Sequence, residues 1–445
     1  MRAASIGAGV GSLVSGARND RMLTNSVLLF ATSALMAGFG ALFWVLAARL
    51  YPAETVGLAG AVVAASDTLA LVAQLGLNIA LVRTMPRSRH QFADFRVAVL
   101  VVGGAAAAFA AGYVLLLPLT SPRVHEVIGS PWAAVLFIGL VTATAVNLLT
   151  DSVFLAIDRV RSYLWLNGVL LGLAKCGLPF LLAGAGVLGL YGSAGGAALL
   201  CGLASIVVIS RHLPRSRRMR PSRELRAARG FAGAGYVTVV LALSPQLVLP
   251  LLVVNELGSA ATAYFFVSIQ IVALQNAIVV AVGNAMYAEC ERHPDRRSQA
   301  FRRGGILMGV VCVGSAAAVW VVAPLLLRVF GPEYAAEGTA TLRVLSVAVI
   351  GLGLSYWGAM RLRVVGRPGA MVGAQVVGTA AVLSLAVAAV PHGTTWVGAA
   401  LGVGYLVGGL VSCAMSRSLP AGPQVSGELA VSVEPAVSGE RGRDL

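Results

Sequence analysis

Three ionisable side chains lie within long apolar stretches of the chain: Asp67, Asp151 and Lys175. Inserting such a group at the centre of a membrane helix costs about 2.5 to 3.5 kcal/mol, so each needs a physical reason. Lys175 is the single lysine beside 32 arginines, and a lysine ammonium, unlike a guanidinium, can lose its proton when it is buried. Lys175 is therefore predicted to attract an anion or to couple to proton movement.

The two aspartates carry the complementary chemistry. At a rise of about 1.5 Å per residue, Asp67 lies about 16 Å and Lys175 about 18 Å inside their helices, whereas Asp151 is about 8 Å deep. Asp67 is expected to line a cavity or couple a cation, with a structural hydrogen bond as the alternative. Asp151 is expected to act in coupling or to stabilise a helix end. Lys175 could instead form a structural ion pair with either aspartate.

Weaker candidates lie within or near the ends of the apolar stretches. Arginines near a cavity mouth could steer an anionic substrate, with a headgroup-level charge as the alternative. Asparagines could bind a hydrated, sugar-like substrate, with an interhelical hydrogen bond as the alternative. Two prolines in one stretch should bend it, as a gate or as a static kink. The arginines are Arg49, Arg83 and Arg343, the asparagines are Asn78 and Asn284, and the prolines are Pro245 and Pro250.

The sequence contains no motif of an enzyme site. It has no Gly-rich phosphate loop after a strand, no His-Glu-x-x-His and no paired-cysteine motif. The five cysteines are scattered singly, without metal-ligand spacing. No catalytic residue, metal site or cofactor is predicted, and the chain is not expected to be an enzyme.

These groups must be positioned by helices that cross a membrane. Hydrophobic residues make up 58% of the sequence and charged residues 11%, far from the balance of soluble domains. A bilayer core takes about 20 apolar residues per helix. The sequence predicts an all-α integral membrane protein with twelve transmembrane helices, at 24–48, 57–82, 97–118, 132–156, 163–184, 188–210, 231–255, 260–287, 304–327, 339–360, 369–390 and 396–416.

The arginine distribution predicts the orientation. Of the 33 lysines and arginines, 28 fall in the tails and alternate loops on one side of this layout. Because short cytoplasmic loops collect positive charge, both termini are predicted to be cytoplasmic. Residues 1–23 are expected to form a cytoplasmic tail without a cleavable signal, and 417–445 a disordered cytoplasmic tail. The charge forms no separate basic domain, which argues against nucleic acid as a partner.

The longest basic loop, 211–230, divides the chain into an N-terminal six-helix lobe, 24–210, and a C-terminal six-helix lobe, 231–416. Six spans return the chain to the same side, so duplicated lobes would be related by an axis along the membrane normal. Two facing lobes predict a central cavity that opens alternately to each side. An offset of 206 residues aligns Asn78 with Asn284, Phe95 with Phe301 and Arg96 with Arg302.

Several segments carry a family resemblance. They are Ala47-Ala-Arg-Leu-Tyr-Pro-Ala-Glu-Thr-Val-Gly-Leu-Ala, Gly76-Leu-Asn-Ile-Ala-Leu-Val-Arg-Thr-Met-Pro-Arg, Asp151-Ser-Val-Phe-Leu-Ala-Ile-Asp-Arg and Phe330-Gly-Pro-Glu-Tyr-Ala. Together with Lys175, and over roughly residues 20–415, the chain resembles polysaccharide flippases of the multidrug/oligosaccharidyl-lipid/polysaccharide (MOP) exporter superfamily.

The resemblance implies two six-helix lobes, alternating access and export of a polysaccharide or lipid-linked oligosaccharide precursor across a bacterial cytoplasmic membrane. Its implied partners are that precursor, membrane lipids, a coupling proton or sodium ion, and glycan-assembly enzymes of the cell envelope. A multidrug or metabolite cation antiporter of the same superfamily is an alternative, and it would depend on acidic cavity groups such as Asp67. A non-transporting membrane scaffold in cell-envelope assembly is a second alternative.

Overall fold

A computed structural model of the chain describes residues 3–214, 222, 225, 233–293 and 296–417. In this part of the chain, twelve helical segments are long and apolar enough to cross a membrane, as predicted. We number them spans 1 to 12. Their bounds are Thr24–Leu50, Ala53–Val72, Gln91–Thr120, Pro131–Ala156, Val160–Leu181, Ala183–His212, Tyr236–Glu256, Ser259–Cys290, Arg297–Phe330, Pro332–Val364, Pro368–His392 and Thr394–Ser416.

Spans 1–6 form one lobe and spans 7–12 the other. Successive spans run in opposite directions, so the loops alternate between two faces. We call the face that holds the loops after odd-numbered spans the distal face, and the opposite one, towards which both chain ends lead, the terminal face. The distal face would be external under the predicted orientation.

Three predicted extramembranous segments fall partly or wholly outside the described residues. The helix that contains span 1 begins at Ala3. The predicted tail at 1–23 is therefore helical from Ala3 onwards and continuous with span 1. Most of the basic loop, 211–230, and all of the predicted tail after Arg417 lie outside the description. Within that loop, Ser222 N donates a 2.7 Å hydrogen bond to the buried carboxylate of Asp94, which ties the loop to the first lobe.

The two lobes begin with the same helical plan. Three helix boundaries recur 206 residues later: the end of span 1, the start of span 2 and the start of span 3. The pairs are Leu50 and Glu256, Ala53 and Ser259, and Gln91 and Arg297. The offset suggested by three matched residues therefore also relates the helices of the two lobes.

Span 2 is shorter than predicted. The expected continuous helix at 57–82 is wrong, because the span ends at Val72 and a separate helix, Leu77–Thr84, follows. Leu75 and Gly76 both have left-handed backbones, with φ of 49° and 74°, a conformation that glycine adopts readily and leucine does not. Gln74 Nε2 donates to Ala145 O of span 4 at 2.8 Å, which holds the break in place. Asn78 consequently lies beyond the break.

Span 5 is irregular as well. A π-helical stretch, Leu164–Leu170, separates Val160–Tyr163 from the α-helix Leu171–Leu181. Such wide turns recur at functional sites because they shift the side chains that follow. Span 2, which carries Asp67, and span 5, which carries Lys175, thus both have interrupted helices.

The second lobe is held by close backbone packing. A Cβ atom on Gly351 of span 10 would lie 2.6 Å from Gly402 O of span 12, and one on Gly409 of span 12 would lie 2.8 Å from Ser355 N. Membrane helices gain little from burying apolar surface, so van der Waals contact between small residues drives their association. These contacts join backbones and cannot be relieved by rotating a side chain.

We expect Gly351→Val to destabilise the folded protein by about 1 to 3 kcal/mol, the usual cost of overpacking. Gly309→Val in span 9 is the matched control, because a Cβ there meets no atom within 4 Å. Thermal unfolding of the purified protein in detergent measures both. Equal melting temperatures for the two variants would contradict the packing described here.

Candidate functional site

Asp67 lies on the accessible side of a largely buried span. Its neighbours Ser66 and Thr68 are 2% and 3% exposed, whereas the Asp67 side chain is exposed, as is Leu71 one turn later. Two turns earlier on the same face of span 2, Gly60 meets the Phe266 ring of span 8 in the other lobe. Asp67 therefore lies on the face of span 2 that is directed towards the second lobe, and its role in lining a cavity stays a prediction.

Lys175 is half-buried beside span 1. Its Nζ lies 4.9 Å from the centroid of the Phe43 ring, within the range of a cation–π contact. Its charge interacts with that of Asp67, but Lys175 forms an ion pair with neither Asp67 nor Asp151. The alternative of a structural ion pair with either aspartate is thus not seen among the described residues, and the ammonium lies against an aromatic ring.

Asp151 belongs to a different environment. On spans 4, 5 and 6, polar side chains converge: Asn147 Nδ2 donates to Asn167 Oδ1 at 3.0 Å, and Cys201 Sγ lies 3.4 Å from the same oxygen. Four buried atoms of this group have no hydrogen-bond partner among the described residues. They are Asp151 Oδ1, Asn147 Oδ1, Asn167 Nδ2 and Ser205 Oγ.

Unsatisfied buried oxygens are costly and call for a partner that is not part of the chain, such as a proton, a cation or water. Asp151 Oδ1, Asn147 Oδ1 and Ser205 Oγ are the hard oxygen donors that small cations prefer. The described residues contain no cluster of three or more His, Cys, Asp or Glu side chains. Asp151 is the one acidic side chain among the four residues with unsatisfied atoms, so those residues carry at most one negative charge.

Arg83 and Asn78 share a cleft near the terminal face. It has a volume of about 290 Å³ and is lined by Asn78, Ile79, Val82, Arg83 and Ser152. The break in span 2 turns the helix that carries Asn78 and Arg83 towards span 4, which supplies Ser152. A guanidinium beside an amide and a hydroxyl is a suitable setting for a phosphate.

Asn284 faces the corresponding part of the second lobe. It is exposed on span 8, and its Oδ1 accepts a 3.5 Å contact from Tyr356 OH of span 10. One turn further along, the Arg363 guanidinium lies 5.7 Å from the centroid of the Tyr287 ring. Aromatic rings, an amide and a guanidinium therefore line the seam between spans 8 and 10.

The proline kinks are compensated by neighbouring helices. Pro245 cannot donate to Leu241 O, and that carbonyl instead accepts from Thr379 Oγ1 of span 11 at 3.0 Å. In the same way, Pro324 leaves Trp320 O without its helical donor, and Arg343 Nε of span 10 donates to it at 3.1 Å. Arg343 thus stabilises span 9, and the kink at Pro245 is tied to span 11.

The two seams between the lobes differ near the terminal face. Tyr236 OH of span 7 donates to Val72 O of span 2 at 2.8 Å and closes that seam. The residues 206 positions away are Phe30 of span 1 and Ile278 of span 8, which are 77% and 48% exposed. Spans 1 and 8 meet closer to the distal face, where the Trp44 and Phe266 rings lie 4.5 Å apart. Phe30 has no hydroxyl to form the equivalent bond, and both positions are accessible, so we call this terminal part of the interface between spans 1 and 8 the open seam.

Sequence reasoning missed the polar contacts between the lobes at the distal face. Arg49 Nη2 donates to the carbonyl oxygens of Arg328 and Val329, both at 3.0 Å. On the other side, Arg123 Nη1 donates to Val254 O at 3.0 Å, and Asn255 Nδ2 donates to Thr120 O at 2.7 Å. The offset of 206 residues was a usable signal, because it relates Arg49 to Asn255.

No protein-family model matches the sequence, and no curated protein matches it. Solved structures do match the fold. An inward-facing multidrug resistance MATE family transporter of the MOP superfamily has a TM-score of 0.65 at 16% identity, over 86% of this chain and 94% of that one. The lipid II flippase MurJ in an inward closed conformation has a TM-score of 0.67 at 11% identity, over 89% of this chain and 88% of that one.

The chain shares its fold with these transporters. An outward-facing MATE family transporter of the same superfamily matches with a TM-score of 0.56 at 15% identity, over 89% of this chain and 94% of that one. The expectation of two six-helix lobes with this fold is confirmed. Asp67 and Asn284 are exposed on spans 2 and 8, and Lys175 lies on span 5 beside the Phe43 ring of span 1.

We expect Arg343→Ala to destabilise the protein by about 1.5 to 3 kcal/mol, because Trp320 O loses a charged donor. The cost should fall in a Pro324→Ala background, where residue 324 regains the N–H that can donate to the same carbonyl. Thermal unfolding of the two single variants and the double variant gives the coupling. Strict additivity would mean that Arg343 does not serve the carbonyl freed by Pro324.

Proposed function

We propose that the protein is a flippase that exports a polysaccharide or lipid-linked oligosaccharide precursor by alternating access. The observation that carries the proposal is the open seam between spans 1 and 8, where Phe30 and Ile278 are exposed while the equivalent seam is closed. An amphiphile needs such a lateral opening, because its tail can stay in the bilayer while its polar head enters the space between the lobes.

The groups around that space suit an anionic head with a glycan. Lys175 supplies a cation near the membrane midplane, and its contact with the Phe43 ring keeps the ammonium available without a paired carboxylate. Arg83 with Asn78 and Ser152 offers a phosphate a first contact near the terminal face. The seam with Asn284, Tyr356 and Tyr287 supplies hydrogen bonds and aromatic faces for sugar rings.

Coupling is assigned to the polar group on spans 4, 5 and 6. Asp151 Oδ1 and its unsatisfied neighbours would take up a proton or a sodium ion. The π-helical stretch Leu164–Leu170 carries Asn167 of this group and precedes Lys175 on the same span. Occupation of the group can thus alter the position of Lys175 through one short piece of helix.

The orientation follows from charge. With 28 of the 33 basic residues in the tails and alternate loops that the sequence assigns to one side, the terminal face would be cytoplasmic in a bacterial plasma membrane. Substrate would then enter from the cytoplasmic leaflet through the open seam and leave at the distal face. Membrane lipids would surround the lobes, and glycan-assembly enzymes would supply the precursor.

Asp67 favours a second candidate function. An exposed carboxylate facing the space between the lobes would attract a cation, and a multidrug transporter is among the structures with this fold. A cation antiporter would need Asp67 more than Lys175. Transport would therefore depend on Lys175 in a flippase and on Asp67 in a cation antiporter.

We expect Lys175→Ala to reduce flipping of a fluorescent polyprenyl-diphosphate oligosaccharide in proteoliposomes by tenfold or more, with little loss of folded protein. Lys175→Arg should retain part of the activity, because the charge remains. Asp67→Asn is the comparison variant for uptake of a cationic dye. Loss of dye uptake in Asp67→Asn, with Lys175→Ala fully active, would favour the antiporter.

Closing the open seam should block a lipid-linked substrate. In a background without native cysteines, Phe30→Cys together with Ile278→Cys can be joined by a bifunctional thiol reagent. We expect the joined protein to lose flipping, and each single cysteine variant treated alike to retain it. Unchanged flipping after complete cross-linking would contradict lateral entry at this seam.

A further inference from the structure

The lobes are joined at the distal face by two groups of hydrogen bonds that span the interface. In the first, Arg49 of span 1 donates to Val329 O from both Nε, at 3.1 Å, and Nη2, at 3.0 Å, and to Arg328 O at 3.0 Å. In the second, Asn255 of span 7 donates to Thr120 O at 2.7 Å and accepts from Ser121 Oγ at 2.7 Å. Arg123 reinforces the second group by donating to Val254 O at 3.0 Å.

All the main-chain acceptors in these groups are at the ends of helices. Val329 is one residue before the end of span 9, Thr120 ends span 3, and Val254 is two residues before the end of span 7. The last carbonyls of a helix have no intrahelical donor and carry its negative dipole end. In a separate lobe these carbonyls would accept hydrogen bonds from water. In the joined protein, arginine and amide donors of the opposite lobe take the place of that water.

The two groups are related by the internal repeat. Adding 206 to Arg49 gives Asn255, and adding 206 to Arg123 gives Val329. The segment pair around positions 49 and 329 therefore has the segment pair around positions 255 and 123 as its counterpart, although the second pair is joined through Val254 O, Thr120 O and Ser121 Oγ. Two repeat-related groups of contacts, one on each side of the interface, resist separation of the lobes without favouring a sideways tilt.

These bonds can be exchanged for water at low cost. Arg49, Asn255 and the helix ends lie at the face, not in the hydrocarbon core, so each group can be hydrated when the lobes part. This property suits a reversible closure. It distinguishes these contacts from the backbone packing within spans 10 to 12, which persists as a unit.

We propose that Arg49 and Asn255, with Arg123, form a paired distal latch that sets the balance between the closed and open states of the distal face. The latch belongs to the lobes themselves and does not depend on which substrate is carried. Each half contributes separately, so removal of one half shifts the balance and removal of both shifts it further.

Distance measurement across the distal face tests the latch. In a background without native cysteines, Trp132→Cys and Trp396→Cys place spin labels at exposed positions at the distal ends of spans 4 and 12. Without substrate, in lipid nanodiscs, Arg49→Ala should raise the ratio of long to short distances by roughly tenfold, which corresponds to about 1.4 kcal/mol. Asn255→Ala should act in the same direction.

Arg328→Ala is the matched control. It removes one positive charge from the same face, but Arg328 enters the latch through its main-chain carbonyl, which the substitution keeps. The distance distribution should then match that of the parent. If Arg49→Ala is folded and gives the parent distribution, or if Arg328→Ala shifts it as much as Arg49→Ala does, the latch is ruled out.

A second arm applies if Arg49→Ala does not fold. Arg49→Cys with Val329→Cys, joined by a short thiol cross-linker, should leave only the short distance, and cleavage of the linker should restore the longer one. Persistence of the long distance in the cross-linked protein would overturn the proposal. Because no substrate is present, failure of the flipping experiments leaves these outcomes unaffected.

Discussion

A membrane interior supplies no water to backbone N–H and C=O groups, and the rest of this structure depends on how that constraint is met. Regular helix satisfies most of the chain. Where proline interrupts it, a neighbouring helix donates instead, as Arg343 does to Trp320 O and Thr379 to Leu241 O. The same solution at the helix ends, with Arg49 and Asn255 as donors, joins the two lobes.

This view changes the meaning of the distal arginines. The 28 basic residues in the tails and alternate loops predict the orientation. Four arginines fall elsewhere in the sequence, Arg49, Arg123, Arg328 and Arg343. Of these, Arg49, Arg123 and Arg343 each donate to a main-chain carbonyl of another span. Their positions follow from unsatisfied carbonyls, so a charge in an unexpected loop indicates a backbone contact as readily as a substrate contact.

The number of spans and their order were predictable, because an apolar stretch of membrane length is a local property of the sequence. The break in span 2 was not, because Leu75 adopts a left-handed backbone that nothing in its own sequence favours. The group around Asp151 was only partly visible. Asp151 was noticed as a charge, whereas Asn167 and Ser205 join it from other spans through contacts that hydropathy does not encode.

The internal repeat accounts for the contacts between the lobes at the distal face, and the differences between the two lobes account for the charges at Asp67 and Lys175. Position 273, which corresponds to Asp67, is alanine, and the second lobe has no lysine. The two midplane charges, Asp67 and Lys175, thus lie in the first lobe on the interrupted spans 2 and 5. The second lobe instead contains glycine-packed spans 10 to 12. Small local shifts cost least in the interrupted segments, where the regular helical hydrogen-bond ladder is already broken, so the two charges lie on the spans that can adjust most easily.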